Sequence, residues 1–257
     1  MTESIKQKVQ DQFGVAAADY ATSDVHAKGE SLGRLLALLN PQPAWQALDV
    51  ATGAGHMALA LAPHVARIVA SDLTSEMLET TARLARERGL TNVELLRADA
   101  EHLPVEDASL DLVSCRLAFH HFPRPDVAAA EMARIVWPGG WLAFTDNVTV
   151  ADRAAADYYN AYEKLRDPSH YRVDSQAEIV GRFERAGFEI LASERLSKEF
   201  EFHGWADRQR VSPADKERLL DMMRRIPPVL EPLFAPRWTD GTMYFSLWEL
   251  VLVGRKR

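Results

Sequence analysis

Residues 47–55 read Ala47-Leu48-Asp49-Val50-Ala51-Thr52-Gly53-Ala54-Gly55, and His56-Met57-Ala58-Leu59-Ala60-Leu61-Ala62 follows. Leu48 and Val50 favour a strand, the Ala51–Gly55 stretch breaks it, and the next run suits a helix. A strand, a glycine turn and a helix N-terminus bring backbone N–H groups close to a ligand, because glycine lacks the Cβ that would stand in the way. Nucleotide and dinucleotide sites share this pattern, and so do tight turns that bind nothing.

Three acids sharpen the reading. Asp49 sits near the end of the first strand, where a buried charge is costly unless it holds the turn's own N–H groups or a ligand amine. Arg67-Ile68-Val69-Ala70-Ser71-Asp72 reads as a second strand ending in an acid. Asp72 lies 19 residues after Gly53, a spacing at which a carboxylate accepts from ribose hydroxyls. Val93-Glu94-Leu95-Leu96-Arg97-Ala98-Asp99 is a third such strand. Asp99 there can receive an adenine amine, and Ala100 can offer its backbone N–H to the ring.

These residues resemble a class I S-adenosylmethionine (SAM)-dependent methyltransferase of the UbiE-like group. The group's acid-x-Gly-x-Gly-x-Gly motif appears as Asp49-x-Ala51-x-Gly53-x-Gly55, with alanine for the first glycine. The resemblance covers about Phe13 to Val148, with a weaker echo at the C-terminus. It implies a Rossmann-like, doubly wound α/β sheet of seven strands, mainly parallel with the last antiparallel. It also implies one class I methyltransferase domain over residues 1–257, with a helical cap from 1–40, 148–175 and 203–243.

By the same resemblance, Leu73 and Met77 flank the adenine, and the backbone at Arg116 meets the methionine part of SAM. Tyr20, with His26 beside it, closes the pocket. His120 and His121 face the acceptor, with His121 the first candidate for a base and His120 the second. A packing role for Tyr20 and Met77, and a loop-holding role for one histidine, compete with these assignments. Asn147, Arg166 and His170 are candidates for touching the substrate. Asp146-Asn147 is similar to a pair in divalent-metal catechol methyltransferases, but Arg116 and histidines stand where those need a further aspartate. No metal is expected.

Composition narrows the partner. Formal net charge is −7, which disfavours phosphate-backbone binding. The fourth strand ends in Arg116-Leu117-Ala118-Phe119 rather than the Asn/Asp-Pro-Pro-aromatic clamp of base-directed methyltransferases. The expected partner is a small-molecule methyl acceptor, with no nucleic acid. Cys115 is the only cysteine, so no intrachain disulfide can form, and a reducing cytoplasmic location is expected. No apolar run reaches membrane-spanning length, and the basic tail Arg255-Lys256-Arg257 reads as a solvated end.

The expected activity is transfer of the sulfonium methyl to O, N or C of a small, partly apolar metabolite by direct displacement. One alternative is an NAD-dependent oxidoreductase using Gly53-x-Gly55-x-x-Ala58 and Asp72. It leaves Asp49 and Asp99 without a role, and no Tyr-x-x-x-Lys pair is evident. The other is a non-catalytic SAM-binding module.

Overall fold

The computed structural model describes residues 2–21 and 29–257, with the side chains of residues 2–4 and 15–21 outside the description. Strand β1 (Gln46–Val50) lies at the centre of a mixed sheet, between β2 (Arg67–Asp72) and β4 (Leu110–Arg116). Beyond β2 comes β3 (Val93–Arg97). Beyond β4 come β5 (Val136–Val148), β8 (Thr242–Lys256) and β6 (Phe188–Glu201). Strands β1 to β5 run parallel, and β8 inserts antiparallel between β5 and β6. The chain leaves β1 toward β2 and β3, then returns to the other side of β1 for β4. That reversal opens a crevice beyond the carboxyl ends of β1 and β4.

The expected fold holds, with one addition. A short strand, β7 (Arg237–Thr239), forms a hairpin with β8 and makes the sheet eight-stranded. The basic tail keeps Arg255 and Arg257 exposed, as expected, but is tied down by hydrogen bonds. Arg255 Nε donates to the Gly139 carbonyl at 2.9 Å, Lys256 reaches the Ala133 carbonyl, and the Arg257 N–H bonds the Gly187 carbonyl at 3.0 Å.

Helices cover both faces. Helix α2 (Glu30–Leu39) buries Leu32, Leu35 and Leu39 and stops at Asn40, which takes a left-handed φ of 46°. After the glycine turn comes α3 (His56–Leu61), and α4 (Ser75–Glu87) follows β2. Helix α5 (Pro125–Ile135) starts on proline, whose missing N–H costs nothing in a first turn. Helix α7 (Gln176–Arg185) opens on a reciprocal capping box between Ser175 and Glu178. Leu48, Val113 and Phe144 from the central strands pack with Met132 and Phe183 on one face. On the other, Leu35, Met57 and Leu61 pack with Ile68 and Leu112.

A third apolar cluster lies above the strand ends. It joins α6 (Arg153–Arg166), α8 (Phe202–Asp207), α9 (Pro213–Arg224) and α10 (Glu231–Phe234) to the start of β8. Tyr159, Tyr162, Trp205, Phe234 and Phe245 dominate it, and the Tyr162 and Trp205 rings stack at 5.4 Å. Burial of such side chains contributes about 1.5–3 kcal/mol each, which binds these helices firmly to the sheet.

Helix α1 (Thr2–Ala21) runs through Gly14 without a break. A Cβ at Gly14 would meet nothing closer than 3.8 Å. That glycine is neither strained nor a cap, and the following alanines carry the helix on.

Candidate active site

The turn after β1 is shaped by two alternations of backbone sign. Ala51, Gly53 and Gly55 take φ of 52°, 55° and 82°. A Cβ on Gly55 would stand 2.6 Å from Thr81 Cγ2, so α4 can approach only glycine there. A Cβ on Gly53 would meet nothing within 4 Å, because that Cα faces a cavity. Ala51 adopts the left-handed region despite its methyl, at about 1 kcal/mol. Leu117, at the matching end of β4, does the same with φ 53°. Strained backbone therefore flanks both sides of the crevice.

The acids fasten this turn. Asp49 is fully buried and accepts from Thr52 Oγ1 and Ser114 Oγ, each at 2.6 Å. Ser114 is its register neighbour on β4. Burial pushes the Asp49 carboxyl up to about 6, against the pull of those two hydroxyls and of Arg116. Asp72 accepts the Gly53 N–H through one oxygen and the Thr74 N–H through the other, both at 2.8 Å. Burial raises it as well, with the two backbone donors opposing.

At the end of β3, Asp99 and Glu101 share Lys6 of α1, at 2.6 Å and 2.5 Å. Glu101 is buried and also accepts the Arg124 N–H at 2.7 Å. Helix α1 thus crosses the crevice. Gln10 reaches the Leu73 carbonyl at 3.3 Å, and Gln12 reaches Gln209, beyond α8, at 2.6 Å.

Beyond β4, His120 and His121 sit on a single 3-10 turn with ring centroids 4.2 Å apart. The His120 Nδ1–H faces Asp146 Oδ1 at 2.6 Å, and its backbone N–H meets Oδ2 at 2.9 Å. Burial opposes a charged ring, but Asp146 outweighs it and holds the His120 pKa above the ordinary 6.5. His121 is the opposite case. Burial, with His120 beside it, drives it down to about 4. Its Nδ1 meets the Ser169 carbonyl at 3.1 Å, so Nδ1 carries the proton and Nε2 keeps the lone pair. Phe13 packs edge-on against the His121 ring.

One cavity of about 1520 Å³, open mouth included, joins these parts. It runs from Asp99 past Gly53 and Arg116 to His120 and His121, then under α6 and α8 to Arg166, Phe200 and Trp205.

The family model for the methyltransferase domain matches residues 48–144. Similarity extends well past that segment. The uncharacterized methyltransferase YcgJ of Bacillus subtilis is 32% identical over 206 residues, covering 80% of this chain and 81% of the relative. The chain belongs to this methyltransferase family. It is a class I, UbiE-like enzyme that depends on SAM. The Brucella anthropi ubiquinone/menaquinone biosynthesis C-methyltransferase UbiE is 30% identical over 182 residues, 62% of this chain and 69% of the relative. The solved YcgJ structure superposes with a TM-score of 0.82 at 28% identity, covering 88% of this chain and 98% of that one.

The residues present fit the cofactor. The open space over Gly53 and the acid at each of three successive strand ends form a cradle a Cβ would narrow. Each carboxylate keeps lone pairs beyond those its protein donors use.

Of the sequence candidates, Asp49, Ala51, Gly53, Asp72, Leu73, Met77, Asp99, Ala100 and Arg116 line the methyltransferase's cavity together with His120, His121, Asn147 and Arg166. Gly55 sits behind the turn against Thr81. The Tyr20 side chain and all of His26 lie outside the described residues. His170 needs correcting, because it does not line the cavity. It is buried, bonding Asn160 Oδ1 through Nε2 at 2.8 Å, and it braces the loop after α6. Asp146 lies beneath His120 rather than on the cavity wall.

Sequence reasoning missed Lys6, Glu101, Lys198, Arg208 and Glu249. Glu249 on β8 neighbours Asn147 in register, and Lys198 of β6 meets Glu249 at 3.1 Å. Only the strand order brings these together. Strand alternation in β8 offered the one signal: a buried glutamate among apolar residues needs a partner.

Proposed function

We propose that the enzyme moves the SAM methyl to O, N or C of a small, partly apolar metabolite, within a single domain spanning residues 1–257. The supporting observation is the continuous cavity from the glycine turn to an aromatic chamber, with His120 and His121 at the junction. SAM supplies an electrophilic sulfonium methyl. In this reading Asp49 faces its amine, Asp72 its ribose and Asp99 with Ala100 its adenine, while Leu73 and Met77 pack on the ring. Arg116 and Asn147 line the passage. The chain's own work is to align two ligands and exclude water. The net charge favours a small acceptor over nucleic acid, and the lone, buried Cys115 suits a reducing cytoplasm.

For an acceptor that must lose a proton, we place His120 ahead of His121, reversing the order read from sequence. Asp146 fixes the Nδ1–H tautomer of His120, leaves Nε2 to take the proton and stabilises the resulting imidazolium. His121, held near 4, is a weak base and suits orienting the acceptor.

A metabolite screen read as S-adenosylhomocysteine release tests the proposal. Turnover with at least one small aromatic or apolar acceptor is expected. Turnover only with nucleic acid or protein would overturn it.

A further inference from the structure

Charge divides this cavity along its length. At the ends of β1 to β3 the lining holds Asp49, Asp72, Asp99 and Glu101 against Lys6. Toward β6, β8 and the helices above them it holds Arg116, Arg166, Lys198 and Arg208 against Asp167 and Glu249, among the described residues. The acidic end suits a donor that bears a sulfonium and an amine. The positive excess at the other end is not a general property of the chain, whose formal charge is −7.

Three of those cations come from different elements and converge on two rings. The Arg166 guanidinium lies 4.3 Å from the Trp205 ring centroid and is held by the Trp205 carbonyl at 3.2 Å. Lys198 Nζ and Arg208 Cζ each lie 5.6 Å from the Phe200 centroid. Glu249 pairs with Lys198 and offsets one charge. Burial lowers the Lys198 pKa against the pull of Glu249, and Arg116 and Arg208 add to the lowering. Arg166 also pairs with buried Glu163 at 3.8 Å, and an anion seated here would add charge-assisted hydrogen bonds to a wall where cations outnumber the lining acids.

We propose that the methyl acceptor carries an anionic group, a carboxylate or a phosphate ester, seated on Arg166, Lys198 and Arg208 with its apolar body against Phe200, Trp205 and Leu247. The assignment rests on the methyltransferase reading of the cavity and adds the acceptor's charge to it. A negative acceptor also approaches a positive donor with attraction rather than repulsion, which favours close alignment before transfer.

The test is calorimetry on the full chain saturated with S-adenosylhomocysteine, titrated with benzoate, phenyl phosphate and benzamide. At least one anion should bind about tenfold or more tightly than neutral benzamide. Preference between benzoate and phenyl phosphate tells a carboxylate from a phosphate ester. Arg208→Gln and Arg166→Gln should each weaken the preferred anion roughly tenfold with S-adenosylhomocysteine affinity unchanged. Lys198→Gln provides a further variant should loss of the Arg166–Trp205 bond unfold α8, which a melting curve reports. Equal binding of benzamide, binding of none of the three probes, or an unchanged anion affinity in Arg208→Gln and Lys198→Gln would overturn the proposal while the donor site stands. A chain that fails to bind S-adenosylhomocysteine would overturn the donor reading, and this one with it.

Discussion

His120 and His121 are neighbours in sequence yet titrate in opposite directions, and the difference yields two predictions. Asp146 raises His120, so for an acceptor that must lose a proton turnover should climb with pH along a limb lying above 6.5. Asp146→Asn should move that limb to lower pH and cut the plateau roughly 10²-fold, while His120→Gln removes the limb. A pH–rate profile checks this, and a limb that stays in place in Asp146→Asn would falsify the base assignment. His121 contributes to stability instead. Its folded pKa of about 4 lies below the ordinary 6.5, so its contribution is complete above 6.5 and is lost as pH falls toward 4, up to about 3 kcal/mol. Asp49, raised to about 6 from 3.8, acts in the opposite sense as pH falls below 6. The comparison must therefore be between wild type and His121→Gln. Urea unfolding from pH 7 to pH 4 should show wild type losing stability that the variant keeps. Parallel curves would mean that His121 is not held neutral by burial.

At the scale of elements, α1 is a strap across the cofactor end. Lys6, Gln10 and Gln12 tie it to Asp99, Leu73 and Gln209, and Phe13 rests against His121. Polar ties on a surface helix are individually weak, so α1 should open more readily than the central strands. Amide exchange in α1 should be fast in the free enzyme and slow on adding S-adenosylhomocysteine. Lys6→Met, which removes the cation between Asp99 and Glu101, should speed that exchange and weaken S-adenosylhomocysteine by roughly tenfold or less. Equal protection of α1 with and without ligand would refute its role as a strap.

For the whole molecule, the proposed donor site joins the ends of β1 to β3 with α1, so its occupation should raise global stability. S-adenosylhomocysteine at 100 times its Kd adds about 2.7 kcal/mol, or roughly 5–10 °C in Tm for a chain of this size. NAD at the same concentration should move Tm far less, because a dinucleotide offers Asp49 no amine in place of the methionine amine of the donor. A larger shift with NAD would reopen the oxidoreductase reading. Cavity charge is also a whole-molecule property: cations from α6, β6 and the turn after α8 meet only because β8 inserts beside β5 and brings β6 across.

The parallel half of the sheet and the acidic end of its cavity were legible in the chain because they are local. Asp49, Asp72 and Asp99 each close a short run of strand formers, and Gly53 and Gly55 mark a turn by lacking a Cβ, so near-neighbour chemistry alone orders them. The Asp72 bonds to Gly53 and Thr74, like the left-handed Ala51, could not be read in this way, since they depend on how tightly β2 and α4 close on the turn. The opposite end of the cavity was hidden for a stronger reason. His120 gains its basicity from Asp146, 26 residues away, and Lys198 meets Glu249 across 51. His170, placed by sequence at the substrate, turns inward to Asn160. Those outcomes rest on strand order, register and burial, and only the folded chain sets the dielectric and the distances that give each side chain its charge.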